Sequence, residues 1–147
     1  MYSLPDLGRR DALKLKQVLI IDDSDADLLF TRLILEGEGV AEDVLCFETA
    51  PQALEYLQRP QGHHADIILL DINMPEMNGF AFLDVYDKLH AAQQARALVV
   101  MLTSSPDPTD RARADSYQCV KGYVVKPIDV PSAQALPALL GGLKPQD

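Results

Sequence analysis

Ala65-Asp66-Ile67-Ile68-Leu69-Leu70-Asp71-Ile72-Asn73-Met74-Pro75-Glu76-Met77-Asn78-Gly79 decides the fold. It opens with a continuous apolar run, Ile67 to Leu70, delivers one carboxylate, Asp71, and breaks at once into Asn, Pro and Gly. A short apolar run closed by turn residues reads as a strand buried on both faces. A carboxylate at the C-terminal end of such a strand sits where open α/β sheets place their ligand sites.

Working outward, the same pattern recurs. Gln17-Val18-Leu19-Ile20-Ile21 is a β-branched run ending in Asp22-Asp23-Ser24,. Val44 to Phe47 is a second short strand. Ala97 to Leu102 ends in Thr103-Ser104-Ser105, and Gly122 to Val125 ends in Lys126-Pro127. Helical stretches fill the gaps. Ser24 followed three residues later by Asp27 is an N-cap pattern opening a helix to about Glu36, with Leu28, Leu29, Ile34 and Leu35 on its apolar stripe,. Thr49 with Gln52 marks a second cap, and Pro51 suits the first turn that follows,. Gly79 opens a third helix with Phe80, Leu83, Tyr86 and Leu89 or His90 on one face,. Asp110 to Cys119 reads as a fourth. Ser132 to Leu143 reads as a fifth, kinked or shortened by Pro137,. The loop histidines His63 and His64 read as solvated, since two neighbours do not make a metal site.

Strand–helix alternation repeated five times implies a parallel sheet with right-handed crossovers. The expected fold is α/β: a flavodoxin-like, doubly wound, five-stranded parallel sheet of order 2-1-3-4-5 with five helices. Residues 1–15 read as an N-terminal extension and residues 16–147 as one domain.

Composition narrows the function. The chain has 147 residues and a net charge of −9. An acidic domain is a poor partner for nucleic acid or anionic lipid, and suits divalent cations or basic protein surfaces. No apolar run approaches the roughly 20 residues that span a bilayer, and Met1 to Lys16 has no secretory h-region. The reading is a cytoplasmic protein with no membrane and no nucleic-acid role. Cys46 and Cys119 belong to no CxxC pair and read as buried free thiols,.

In the 2-1-3-4-5 order the polar groups at the strand ends converge: Asp22 and Asp23 from strand 1, Asp71 from strand 3, Thr103 from strand 4, Lys126 from strand 5. Three carboxylates in one pocket repel, by about 4 kcal/mol for two charges 4 Å apart at an effective dielectric of 20. A hard divalent cation relieves this, and oxygen-only ligands favour Mg²⁺. A carboxylate nucleophile, a lysine, a hydroxyl and Mg²⁺ suit phosphoryl transfer, with an acyl phosphate formed on Asp71.

The acidic pair Asp22-Asp23, the Asp71 to Gly79 block, Thr103-Ser104 and Tyr123-Val124-Val125-Lys126-Pro127 together resemble a response-regulator receiver domain of two-component signalling, of the single-domain chemotaxis type. The resemblance covers about residues 17–140. It implies phosphorylation of Asp71. It implies Mg²⁺ held by Asp22, Asp23, Asp71 and the backbone carbonyl of Asn73, with Thr103 and Lys126 reading the phosphoryl group. It implies a switch made by Thr103 and Tyr123, and a cis Lys126–Pro127 bond. It also implies as partners a sensor histidine kinase or histidine phosphotransfer protein upstream and an unidentified protein target downstream. The function expected is a stand-alone response regulator. The alternatives are a relay intermediate without its own target, a phosphorylation-independent interaction domain, and a small Mg²⁺-dependent phosphohydrolase. The last needs a second acid beside its nucleophile, and position 73 is Asn.

Overall fold

The computed structural model describes residues 14–94, 97–104 and 106–141. Ser105, most of the N-terminal extension (residues 1–13) and the expected end of the last helix at Leu143 lie outside them. In chain order the elements are β1 (Leu15–Ile21), α1 (Asp25–Gly37), β2 (Ala41–Phe47), α2 (Ala50–Gln58), β3 (Ala65–Asp71), α3 (Gly79–Tyr86), α4 (Ala91–Gln94), β4 (Leu98–Thr103), α5 (Pro108–Asp115), β5 (Val120–Val125) and α6 (Val130–Gly141). All strand pairs are parallel, in the order β2-β1-β3-β4-β5. This is the flavodoxin-like arrangement expected from the sequence.

The central strands are apolar without interruption because both faces of the sheet are covered. Leu19, Ile21, Ile68, Leu70, Val99 and Met101 point to one side, against Leu54 and Leu57 of α2, Phe80 and Leu83 of α3 and Ala114 of α5. Val18, Ile20, Ile67, Leu69, Val100 and Leu102 point to the other, against Leu28 and Leu35 of α1 and Leu136 of α6. Adjacent residues of β3 thus belong to opposite cores, as the two-residue period of a strand requires. Each such fully buried Leu or Ile contributes about 1.5–3 kcal/mol from apolar burial.

Local readings change in three places, α3, α1 and α5. Among the described residues there are six helices, not five. The helix opened by Gly79 stops at Tyr86, and a short helix, α4, follows. The Gln94 side-chain amide turns back and donates to the Tyr86 and Leu89 carbonyls at 2.7 and 3.2 Å, satisfying backbone oxygens that a longer helix would have bonded,. Leu29 does not join the stripe of α1: it is exposed, as are Phe30 and Leu33, and Thr31 is buried in their stead. Finally, the helix expected over Asp110 to Cys119 is α5, which begins earlier, at Pro108 behind the Asp107 cap, and ends at Asp115; α6 continues past Pro137, as expected.

His63 is half-buried rather than fully solvated. Its Nδ1 accepts from the Ala65 N–H at 3.1 Å, and its Nε2 faces the Gln93 carbonyl, tying the entry of β3 to α4. Cys46 and Cys119 are free and half-buried. No helix among the described residues is long and apolar enough to cross a membrane.

Candidate functional site

The strand order reverses direction between β1 and β3, and at that switch point the two strands part at their C-terminal ends,. The last paired residues of β1 and β3 are Ile21 and Leu70, so Asp22 and Asp71 are each the next residue on, at the mouth of the crevice. Both are buried, whereas Asp23 is exposed. Oxygens of the three carboxylates lie within 4.8 Å of one another.

The loop beyond Asp71 is held tightly. The Ile72 N–H continues the ladder to the Leu102 carbonyl at 3.1 Å, and the Gly79 N–H returns to the Ile72 carbonyl at 2.9 Å. This closure requires glycine at position 79: a Cβ there would lie 2.8 Å from the Asp71 carbonyl oxygen and 3.0 Å from Ile72 Cα, both rigid backbone atoms. Glu76 takes the left-handed conformation, φ 65°, at the tip, and Asn78 caps α3 by accepting from the Ala81 N–H at 2.9 Å,. Asn73 is exposed in this loop, two residues beyond Asp71.

Lys126 enters from the end of β5. Its backbone N–H donates to the Thr103 carbonyl at 2.7 Å, and the bond to Pro127 is cis. Its buried ammonium lies 2.9 Å from Asp22 Oδ2 and 3.3 Å from Asp71 Oδ1. A third carboxylate, Asp27 Oδ2 of α1, also lies 2.9 Å away. The sequence reading had Asp27 only as a cap residue. Its N–H does donate to Ser24 Oγ at 3.2 Å, but its side chain goes to the lysine and not back to the cap. A signal was present: α1 starts directly after the acidic pair, so its first turn borders the pocket.

Electrostatics follow from burial. The Asp71 carboxyl is pushed up to about 6, first by loss of solvent and then by the charge of Asp22, with Lys126 acting against both,. Asp22 is also raised, chiefly by burial, although the Ser24 N–H at 3.0 Å and Lys126 oppose the shift. Burial works against the charge of Lys126, but its bonds to Asp27 and Asp22 outweigh that and hold the ammonium well above its usual range.

Thr103 is fully buried at the end of β4. Tyr123, two residues before the end of β5, is half-buried. Its ring lies under the Arg111 guanidinium at 4.9 Å, and its buried hydroxyl has no hydrogen-bond partner within bonding distance among the described residues. Asp22, Asp23, Asp71, Thr103 and Lys126 therefore share one edge of the sheet, while Tyr123 stands on β5 behind them. The donor set at the mouth is oxygen throughout, three carboxylates against one ammonium. This fits a hard divalent cation and does not fit zinc or copper.

A five-stranded doubly wound domain with an acidic pocket and one lysine at its switch point defines the class. A family model of the response regulator receiver domain matches residues 18–136. The polar-differentiation response regulator DivK of Brucella ovis is 31% identical over 119 residues, covering 79% of this chain and 88% of its own. A two-component response regulator from Cytophaga hutchinsonii superposes with a TM-score of 0.78 at 29% identity, covering 88% of this chain and 96% of that one. The chemotaxis protein CheY4 of Vibrio cholerae superposes with a TM-score of 0.69 at 26% identity, covering 88% and 99%. The chain belongs to the response regulator receiver domain family.

Proposed function

We propose that Asp71 accepts a phosphoryl group from a phosphohistidine on a sensor kinase or phosphotransfer protein, and that the change in surface is passed to a separate protein target. The observation that carries this is the pocket mouth itself: a buried carboxylate at the end of β3, 3.3 Å from a largely buried lysine side chain and clustered with two further carboxylates.

An Asp71 carboxylate oxygen attacks phosphorus. The new O–P bond forms as the donor P–N bond breaks, and the electron pair returns to the imidazole nitrogen, which takes a proton from solvent. Asp22, Asp23, Asp71 and the Asn73 carbonyl are the groups that would hold Mg²⁺, which when bound neutralises the phosphoryl oxygens and the carboxylate repulsion. Lys126 pairs with one phosphoryl oxygen. Its tie to Asp22, and the bond from its backbone to Thr103, fix it for that role. The Thr103 hydroxyl donates to another oxygen. In the switch, movement of Thr103 toward the phosphoryl group opens space for Tyr123 to turn inward. That the Tyr123 hydroxyl has no hydrogen-bond partner among the described residues supports a second resting place for that ring. Phosphorylation then shifts a two-state equilibrium at the α5–β5–α6 surface. Transfer to a separate target is in keeping with a match that spans 88% of DivK.

The test is intact-protein mass spectrometry after incubation with acetyl phosphate, with and without Mg²⁺. One phosphoryl adduct that requires Mg²⁺ and is absent from Asp71→Asn is the expected result. No adduct in the wild type would leave a phosphorylation-independent binding domain. Continuous turnover of small phosphate esters would instead make it a phosphohydrolase.

A further inference from the structure

The resting pocket seats Lys126 closer to two other carboxylates than to the residue it is to assist. An ammonium has three N–H donors in tetrahedral directions. Two of them are committed at 2.9 Å, to Asp22 Oδ2 and Asp27 Oδ2, and Asp71 Oδ1 is the more distant partner at 3.3 Å. Asp22 is itself held by its carboxylate and Asp27 by its backbone. Both lean on Ser24, whose N–H donates to Asp22 Oδ1 at 3.0 Å and whose Oγ accepts from the Asp27 N–H at 3.2 Å. One cap residue thus holds the Asp22 carboxylate and the backbone turn that carries Asp27, and both carboxylates grip the lysine from the β1 side.

Without Asp27, the ammonium is shared between Asp22 and Asp71 alone. Coulomb attraction then draws it onto Asp71 and engages the lone pair that must attack phosphorus. We infer that Asp27 is a positioning residue for phosphoryl transfer: it draws Lys126 towards itself and Asp22, loosening its hold on the Asp71 carboxylate and leaving one N–H for the incoming phosphoryl oxygen. This rests on the reading of Asp71 as the acceptor. Asp27 touches neither Asp71 nor the expected phosphoryl position in the contacts described, and acts through Lys126. No charge is gained or lost in the step; the donor bond breaks and the Asp71 O–P bond forms as before.

The experiment uses the full chain with acetyl phosphate at saturating Mg²⁺, followed by intact mass. Asp27→Asn keeps the shape and removes the charge at a half-exposed position. It is expected to slow adduct formation about five- to tenfold, while Asp27→Glu recovers at least about half of the wild-type rate. If Asp27 acts through the lysine, Asp27→Asn has no further effect in a Lys126→Gln background. A second readout does not depend on that background folding. The ¹⁵N resonance of the Lys126 ammonium should shift or broaden in Asp27→Asn and return in Asp27→Glu. A wild-type rate in Asp27→Asn, the same fold loss with and without Lys126, or an unchanged ammonium resonance overturns the inference and leaves Asp71 as acceptor. No adduct in the wild type overturns the acceptor and the inference together.

Discussion

Strand β3 carries a buried aspartate near each end, and the two live differently. Asp66, at the entry, is 1% exposed, and Asp71, at the exit, is 3% exposed. Asp66 Oδ2 accepts the Lys16 backbone N–H at 2.7 Å, beside the point where the register of β1 against β3 slips between Gln17 and Val18. It repairs a break in the ladder, because a backbone donor left without a strand partner needs another acceptor. Asp71 faces Asp22 and Asp23, and shares Lys126 with Asp22 and Asp27. The same residue type at equal depth is structural at one end and, in our proposal, reactive at the other. What differs is the company the topology provides. At the C-terminal edge the chain crosses over and strand ends converge; at the N-terminal edge a carboxylate receives a backbone N–H of the neighbouring strand.

Removing the charge at 71 is expected to have the largest effect, and a favourable one. The folded state raises the Asp71 carboxyl from 3.8 to about 6, so it binds this proton more tightly than the unfolded chain does. Stability from this group is therefore highest below about pH 4 and falls as pH rises towards 6. Above that, the penalty is on the order of 3 kcal/mol. Asp71→Asn should raise the Mg²⁺-free stability at pH 7 by up to about that amount and flatten its decline between pH 4 and 6. Urea melts at several pH values check this. A residual slope should remain from Asp22, which is raised in the same direction.

Gly79→Ala comes next. The added methyl meets the Asp71 carbonyl oxygen at 2.8 Å, so the loop must move, at a cost of about 1–3 kcal/mol. Because that backbone carries Asp71, adduct formation should slow as well, which a parallel melt and mass spectrum would show. Asp66→Asn is the smallest and the most discriminating. It weakens one charge-assisted bond, costing about 1–2 kcal/mol, and should leave the adduct rate at that of the wild type. A loss of phosphorylation in Asp66→Asn greater than its loss of folded protein would break the division between the two ends.

The sequence carried the strands, their order and the five strand-end side chains, because a sheet buried on both faces writes itself as uninterrupted apolar runs that stop at their polar ends. What it did not carry depends on contacts across the chain. Asp27 meets Lys126 across 99 positions, and its local context is that of a helix cap. Gln94 ends α3 by a side-chain bond to Tyr86, which no periodicity encodes. Leu29 fits an apolar stripe by composition, yet α1 turns Leu28, Thr31 and Leu35 to the core and leaves Leu29, Phe30 and Leu33 outside. Asp66 stands directly before the apolar run with nothing in its own neighbours to show that β1 slips beside it.

The most direct measurement of the central claim is chemical trapping of the acceptor. The chain is incubated with acetyl phosphate and Mg²⁺, reduced with borohydride, which converts an acyl phosphate to an alcohol, and digested for peptide mass spectrometry. Homoserine at position 71, with Asp22, Asp23, Asp27 and Asp66 unmodified, is the expected result. Homoserine at any of those four positions, or at none, would contradict the assignment of Asp71 as the phosphoacceptor.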